Sequence, residues 1–226
     1  MAQKIITILN PDQKNILEII SQDKAICQNF YLTGGTALAE FYLKHRLSED
    51  LDFFAEEEFD PQFVSVFFKK NQEQMGIKKI DYKNSFNRNL FFLHLKNKEI
   101  IKTEFTFFPF PRIEKKIKKG DLFVDSLLDI AINKLFTIYQ KPRSRDFIDL
   151  YLILKKTNWK IEDLTKKAKI KFDWHIDYLE LGSKFLLAKK IKDYPIMLKK
   201  ENPKIWQDFF LNEAMKFKGK ILQEKS

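Results

Sequence analysis

The sequence has very little cysteine and no long apolar segment, and these absences exclude several classes of protein. Cys27 is the single cysteine among 226 residues, which excludes a disulfide framework and a zinc site built on thiolates. Uninterrupted apolar runs are only a few residues long, so we expect no membrane-spanning segment. The N-terminal stretch MAQKIITILNPDQ lacks the apolar core and the small-residue cleavage site of a secretory signal. We therefore expect a cytoplasmic protein.

Arginine is also scarce, because five of the 41 basic residues are arginine and the rest are lysine. The basic residues are unevenly distributed along the chain. From Lys155 to Ser226 there are 18 lysines against 10 acidic residues, a net charge of +8, whereas the first 154 residues carry 23 basic and 21 acidic residues, a net charge of +2. A basic third of this kind attracts a polyanion such as RNA, but a solvated lysine-rich surface explains it equally well. The sequence leaves both explanations open.

The apolar periodicity predicts an α+β fold in two parts. Residues 1–120 combine helical segments with short strand-like runs, at 30–33, 51–55, 77–82, 90–95 and 100–108. After a basic connector at 115–120 the pattern is helical only, at 126–140, 144–156, 161–169, 175–192 and 203–218. We therefore predict an N-terminal α/β domain, 1–120, with a mixed sheet flanked by helices, and a C-terminal all-helical domain, 121–226.

Two short motifs in the N-terminal part carry chemistry. Gly34 and Gly35 follow a strand and precede a helix, so backbone N–H groups can approach a ligand such as a triphosphate closely. Asp50 and Asp52 stand two residues apart on the next strand, so they point to the same face of the sheet. Two carboxylates in that arrangement can share a pair of divalent cations, and all-oxygen ligands favour Mg²⁺ or Mn²⁺ over zinc.

Each motif also has an ordinary structural explanation. A Gly-Gly pair after a strand is often only a turn, and Asp-x-Asp occurs by chance in acidic loops. In the present context Asp50 and Asp52 alternate with apolar residues, so we expect two uncompensated anions that repel each other without a metal. Glu104, an acid within an otherwise apolar strand, is the candidate third carboxylate; the alternative is a cross-strand ion pair or a solvated face.

The motifs together resemble the AbiEii/AbiGii toxin family of nucleotidyltransferases in the DNA polymerase β-like superfamily. The resemblance rests on LTGGTAL at 32–38, on HRLSEDLDF at 45–53, and on Lys134-Leu135 followed by RDFIDL at 145–150. These blocks extend from about residue 31 to 154. The superfamily pattern has Gly-Ser where this chain has Gly34-Gly35, so a hydroxyl on the phosphates would have to come from Thr36 or Ser48.

The resemblance implies an enzyme that transfers NMP from an NTP to an acceptor hydroxyl. Asp50, Asp52 and Glu104 would be the catalytic residues and would hold Mg²⁺ or Mn²⁺. The implied nucleotide-binding residues are Gly34, Gly35, Thr36, Arg46, Ser48, Lys134, Arg145, Asp146 and Asp149. The resemblance further implies a toxin with a cognate antitoxin protein, and the 3′ end of tRNA as an acceptor that suits the basic third.

The C-terminal residues of this set have alternatives within their own helices. Lys134 lies within an apolar stripe, so it either snorkels to solvent or faces a buried anion, for which the triphosphate is our candidate. Asp146 lies in the first turn of a helix and complements its dipole without any ligand. Asp149 is four residues from Arg145 and is placed to pair with it.

Two other functions remain compatible with the sequence. One is nucleotidyl transfer to a protein hydroxyl, and the other is a non-catalytic module that binds RNA or protein and retains the fold. The three acidic residues argue against loss of catalysis, and the lysine-rich third argues weakly against a protein acceptor.

Overall fold

The computed structural model describes residues 7–223, with side chains to residue 217. Two short stretches lie outside the described residues, 1–6 and 224–226. The first includes part of the N-terminal stretch on which the expectation of no signal segment rests, and the second belongs to the basic third. The chain forms two compact units: residues up to 111 with 115–126, and residues 112–114 with 127 onward. No helix of the described residues is long and apolar enough to cross a membrane.

The first unit contains four α-helices, one π-helical turn and seven strands within the described residues. They are α1 Pro11–Gln22, α2 Lys24–Asn29, β1 Tyr31–Thr33, α3 Gly34–Leu38, the π-helical turn Ala39–Leu43, β2 Leu51–Ala55, α4 Pro61–Lys70, β3 Ile77–Ser85, β4 Arg88–Leu95, β5 Ile100–Phe107, β6 Ile117–Lys119 and β7 Leu122–Val124. The five strands predicted from the sequence are all present, and the α+β fold class is confirmed.

The seven described strands form one mixed sheet in the order β3-β4-β5-β2-β1-β7-β6. β2 is antiparallel to β1 and parallel to β5, and β3, β4 and β5 form an antiparallel meander. The prediction that only helices follow residue 120 was wrong, because β6 and β7 form a hairpin and β7 adds to the sheet beside β1. Strands of three residues are too short to show a period of two. β1 is equally short, but its apolar run ends at Gly34-Gly35, whereas β6 and β7 lie within and beside the segment interpreted as a basic connector and were missed.

One face of the sheet is closed by a phenylalanine core. Phe53 of β2 stacks on Phe105 of β5 with ring centroids 4.9 Å apart, and Phe91 of β4 lies 6.0 Å from Phe105. Phe68 of α4 contacts both Phe91 and Phe105, so this helix covers the same face. Since side chains alternate along a strand, Asp52, which directly precedes Phe53 on β2, points to the opposite face.

The second unit is all-helical in its described residues, as the sequence predicts. Its elements are α5 Leu127–Gln140, α6 Ser144–Thr157, α7 Ile161–Phe172, α8 Tyr178–Leu186, the 3₁₀ turn Leu187–Lys189 and α9 Pro203–Gln223. Phe147 of α6, Phe185 of α8 and Phe210 of α9 are fully buried, and their rings contact one another. These aromatic contacts join α6, α8 and α9 into one core.

A fully buried ion pair ties α7 to α5 inside the second unit. Lys171 Nζ donates to Asp129 Oδ1 at 2.6 Å, and neither side chain is exposed. The same carboxylate accepts the backbone N–H groups of Ile113 and Glu114, at 3.0 and 2.9 Å. Burial raises the pKa of Asp129, but the Lys171 ammonium and the two N–H donors outweigh it, so the pKa lies below its ordinary value. Asp129 thereby fixes the segment 112–114 to the second unit.

We predict that Lys171→Met lowers the free energy of unfolding by about 3–5 kcal/mol, because it leaves a buried carboxylate without its cation. Lys189→Met is the control, since Lys189 forms only an exposed ion pair with Asp208 and should unfold as the wild type does. Urea denaturation of the three proteins measures the difference. A Lys171→Met variant as stable as the control would mean that the buried pair does not stabilise the fold.

Candidate functional site

The two glycines at the end of β1 lie against the acidic and basic side chains of the following segment. Gly34 has φ +71°, a left-handed conformation, and a Cβ there would lie 2.5 Å from Asp52 Oδ2. A Cβ on Gly35 would lie 2.5 Å from Arg46 Nη2 and 3.0 Å from Ser48 Oγ. A side chain at either position would therefore displace a charged group, and the turn reaches this close only because both residues are glycine.

Asp125 forms hydrogen bonds with the strand that leads into the glycine turn. It is fully buried, and its carboxylate accepts the hydroxyl hydrogen of Thr33 at 2.8 Å, directly before Gly34. Its backbone N–H donates to Leu32 at 2.9 Å, and its carbonyl accepts from the Tyr42 hydroxyl at 2.7 Å. The sequence reasoning missed Asp125, because an acid just before a helix is equally expected as a cap.

The three predicted acidic residues lie at one region of the sheet. Asp52 is paired in register with Thr33 of β1 on one side and with Glu104 of β5 on the other. Paired residues on neighbouring strands point to the same face, so Asp52 and Glu104 share the face opposite the phenylalanine core. Asp50 precedes β2 and is partly exposed, as is Asp52, whereas Glu104 is buried.

Two cations, Lys102 and Arg88, pair with members of this acidic group, and the sequence analysis missed both of them. Lys102 Nζ lies 2.9 Å from Asp50 Oδ2. Arg88 donates two hydrogen bonds of 2.6 Å to the two oxygens of Glu104, and Thr106 adds a third at 2.9 Å. The expectation of uncompensated anions was therefore wrong for Asp50, and Glu104 forms the cross-strand ion pair given as its alternative. The Lys102–Asp50 pair depends on the register of β5 on β2, and the Arg88–Glu104 pair depends on that of β4 on β5. A sequence pattern specifies neither register.

The contacts between Arg88 and Glu104 shift the pKa values of both groups in the expected directions. Burial raises the pKa of Glu104, but the hydrogen bonds and charge of Arg88 outweigh it, and the pKa lies below its ordinary value. The hydrogen bonds to Glu104 raise the pKa of Arg88, and the nearby charges of Asp52 and Asp50 add to this effect. Glu104 is therefore held as a carboxylate at neutral pH.

The segment between the glycine turn and β2 is fixed by hydrogen bonds to its backbone. The hydroxyl of the buried Thr36 donates to the carbonyl of Asp50. Gln13 of α1 donates to the carbonyls of Ser48 and Glu49, at 2.8 and 2.9 Å. Arg46 is buried, and its guanidinium donates to Leu47 O at 2.9 Å. These bonds place Arg46 and Ser48 beside the glycine turn.

In the second unit, the predicted residues Lys134, Asp146 and Asp149 form one buried charge group. Lys134 Nζ lies 2.8 Å from a carboxylate oxygen of each aspartate, and both aspartates are fully buried. Arg143 Nε donates to the other oxygen of Asp146 at 3.0 Å. Burial raises the pKa of Asp146, but Lys134 and Arg143 outweigh it and the pKa is lowered. Lys134 therefore faces buried anions and does not extend to solvent, but these anions are Asp146 and Asp149, and the triphosphate stays a prediction.

Arg145, the fourth predicted residue on this pair of helices, is half-buried. The alternative that Asp149 pairs with Arg145 is not needed, because Asp149 pairs with Lys134. Asp146 and Asp149 are three residues apart on α6, so they share one face of that helix and both reach the same ammonium on α5.

The donor set fits a hard divalent cation in kind, because Asp50, Asp52 and Glu104 offer only oxygen ligands. In the present arrangement Lys102 pairs with Asp50 and Arg88 pairs with Glu104. In the described part of the chain, no three His, Cys, Asp or Glu side chains are arranged to hold a metal ion. Holding a cation at these carboxylates therefore requires that Lys102 or Arg88 move away from its acidic partner.

Comparison with known proteins agrees with this geometry. The family model of the nucleotidyl transferase AbiEii toxin of type IV toxin–antitoxin systems matches residues 16–219. An uncharacterized protein of Aquifex aeolicus is 33% identical over 168 residues, which cover 73% of this chain and 76% of that protein.

Two solved structures share the fold over nearly the whole chain. JHP933 from Helicobacter pylori has a TM-score of 0.61 at 17% identity and covers 95% of this chain and 92% of its own. MenT4, a nucleotidyltransferase toxin from Mycobacterium tuberculosis H37Rv, has a TM-score of 0.56 at 15% identity and covers 92% and 86%. The resemblance inferred from the glycine turn, the paired aspartates and the Lys134 and 145–150 motifs is confirmed, and the chain belongs to the AbiEii family of nucleotidyltransferase toxins.

Proposed function

We propose that this nucleotidyltransferase transfers NMP from an NTP to an RNA hydroxyl with the help of Mg²⁺ or Mn²⁺. The observation that carries the proposal is the register of Asp52, which is paired with Thr33 and with Glu104, so that the glycine turn and two carboxylates meet at one strand. Asp50, Asp52 and Glu104 would hold the cation, which when bound would stabilise charge developing on the α-phosphate.

The glycine turn is the proposed contact for the β- and γ-phosphates. Gly34 and Gly35 lack a side chain there, and Arg46 and Ser48 lie against Gly35. Thr36 donates its hydroxyl to Asp50, so we assign its backbone N–H, not its hydroxyl, to the phosphates. The turn would thereby orient the α-phosphate relative to the acidic residues, and positioning of this kind supplies much of the rate of phosphoryl transfer.

Lys134, Arg145, Asp146 and Asp149 complete the proposed nucleotide-binding set. Lys134 pairs with two aspartates, so these three side chains together have a net negative charge. Arg143, which pairs with Asp146, brings the net charge of the group to zero. An ammonium held in this way is rigid and partly desolvated, which strengthens its interaction with an incoming anion. The role of Asp146 and Asp149 in this proposal is to hold the Lys134 ammonium in one orientation.

An RNA acceptor and a cognate antitoxin protein are the proposed partners. The family is that of type IV toxin–antitoxin systems, which supports the antitoxin. The basic third supports RNA, with a tRNA 3′ end as the candidate acceptor. The densest lysine cluster of the basic third consists of Lys166, Lys167, Lys169 and Lys171 of α7. Lys171 does not belong to its exposed part, because it is fully buried on Asp129. Lys166, Lys167 and Lys169 of α7 remain at least partly exposed.

The first test concerns the acidic residues. Asp52→Asn and Asp50→Asn should each lower the transfer rate by about 100-fold or more, because a cation ligand worth several kcal/mol in the transition state is lost. Asp121→Asn, in the exposed ion pair with Lys118, is the matched control and should retain full activity. Transfer of label from each α-labelled NTP to total RNA or to protein, with Mg²⁺ present, is the measurement. Full activity in either site variant would contradict the metal assignment, and label on protein alone would contradict the RNA acceptor.

The second test concerns Lys134. Lys134→Ala should weaken NTP binding by about 10- to 150-fold, the loss of one charge-assisted contact of about 1.5–3 kcal/mol. Lys134→Arg retains the charge and should bind more tightly than the alanine variant. Calorimetric titration below the melting temperature of each variant separates binding from stability. A destabilised Lys134→Ala protein with wild-type NTP affinity would restrict Lys134 to neutralising Asp146 and Asp149.

The third test concerns the lysines of α7. Replacing Lys166, Lys167 and Lys169 by Gln should flatten the salt dependence of RNA binding, by about 0.7 in log–log slope for each lost phosphate contact. The same three residues replaced by Arg are the control, since the charge is retained. Fluorescence anisotropy at several salt concentrations gives the slopes. Equal slopes in the Gln and wild-type proteins would mean that the lysine excess of α7 does not contact RNA.

A further inference from the structure

The turn between β3 and β4 combines an unfavourable backbone with an unfavourable side chain. Phe86 has φ +54°, in the left-handed region, and its side chain is 97% exposed. The first position of a two-residue hairpin turn with positive φ is normally Gly or Asn, because a Cβ there is strained. A fully hydrated phenylalanine ring also gains nothing from burial. Residues held against their preference in this way concentrate at binding sites.

The strand register connects this hairpin to the candidate catalytic face. Lys83 of β3 is paired with Leu90 of β4, Leu90 with Glu104 of β5, and Glu104 with Asp52 of β2. Side chains that are directly paired across a sheet point to the same face, so Lys83 lies on the face that carries the carboxylates. In this row of paired residues, Leu90 is the one residue that separates Lys83 from Glu104. The sheet face that carries the carboxylates therefore extends across β4 to the edge strand β3.

Arg88 adds a direct link between the turn and the carboxylates. It lies two residues after Phe86, about 7 Å along the chain, and its guanidinium binds both oxygens of Glu104. The Arg88 side chain is 53% exposed, so the guanidinium is accessible from solvent while it holds Glu104. A group bound at Phe86 would consequently lie close to the acidic residues.

The charge of the hairpin selects the class of partner. Residues 77–95 contain four basic residues, Lys78, Lys79, Lys83 and Arg88, and a single acidic one, Asp81, a net charge of +3. Asp81 is already paired with Lys79 and His94, at 2.8 Å each. Lys83 and Arg88 stand within three residues of Phe86, whereas Lys78 and Lys79 stand at the other end of β3. An exposed aromatic ring beside basic side chains is the combination by which proteins bind single-stranded nucleic acid, because bases stack on the ring and phosphates pair with the cations.

We propose that Lys83, Phe86 and Arg88, which we call the hairpin platform, bind the single-stranded end of the RNA acceptor. A base near the 3′ end stacks on the Phe86 ring, a phosphate pairs with Lys83, and the terminal hydroxyl is directed along the sheet face toward Asp52. This inference rests on the proposed function in taking RNA as the acceptor. It places an acceptor contact in the first unit, separate from the lysines of α7.

The test measures binding of a fluorescein-labelled, single-stranded RNA ending in CCA, with EDTA and without NTP. Phe86→Ala should weaken binding by about 5- to 150-fold, the loss found when a stacked base loses its aromatic partner. Phe86→Trp should retain the affinity. Val66→Ala is the control, because Val66 is an apolar residue of α4 that is 63% exposed and lies outside the hairpin, and it should bind as the wild type does.

Phe86→Gly separates binding from folding. Glycine accepts the left-handed backbone, so this variant should melt at a higher temperature than the alanine variant, yet bind RNA as weakly. Lys83→Gln should lower the salt slope by about 0.7, and Lys118→Gln, in the exposed pair with Asp121, should leave it unchanged.

The outcomes distinguish this inference from the proposed function. Wild-type RNA affinity in Phe86→Ala or Phe86→Gly overturns the hairpin platform, and normal label transfer to RNA in those variants would leave the proposed function standing. Phe86-dependent RNA binding without any label transfer to RNA would support the platform and overturn the proposed activity.

Discussion

The pairing of β2 between β1 and β5 is the constraint on which the site depends. It gives Asp52 one neighbour that leads into the glycine turn and another, Glu104, that supplies a second carboxylate. A shift of one residue would move Asp52 into the phenylalanine core and expose Phe53. The cost of burying a carboxylate among aromatic rings excludes that alternative, so the packing of Phe53 on Phe105 also determines where Asp52 points.

The acidic residues impose a second constraint, because grouped carboxylates are unfavourable without cations. The chain supplies two of its own, Lys102 from β5, which is next to β2, and Arg88 from β4, which is next to β5. The same solution recurs in the second unit, where Lys134 is shared by Asp146 and Asp149. In both units lysine or arginine side chains of the chain itself pair with the grouped anions, and under the proposed function these cations would have to move, or be shared, when a charged ligand binds.

The sequence was sufficient for the parts of this molecule that are local or strongly periodic. Four of the predicted strands are long enough to show alternation, and the shorter β1 was recognised from the Gly34-Gly35 turn that follows it. The glycine turn and Asp50-x-Asp52 lie close together in the chain, and their resemblance to the AbiEii/AbiGii family led to the nucleotidyltransferase assignment. The partners Lys102 and Arg88 could not be assigned, because their contacts depend on which strands pair and in what register. Asp125 was missed for a related reason, since its partners Thr33 and Tyr42 are distant in the chain.

Net charge counted along a sequence is a poor measure of the charge that a partner meets. Lys171 belongs to the most basic part of the chain, yet it is fully buried and neutralised by Asp129, so it contributes nothing to the surface potential at close range. The first unit, nearly neutral in total, has Lys83 and Arg88 within three residues of the exposed ring of Phe86 in its β3–β4 hairpin. Attraction of a polyanion depends on such local excess, because screening in physiological salt limits the reach of each charge to about 8 Å. A nearly neutral α/β unit can therefore still present a basic surface to its acceptor, next to the residues that would carry out the transfer.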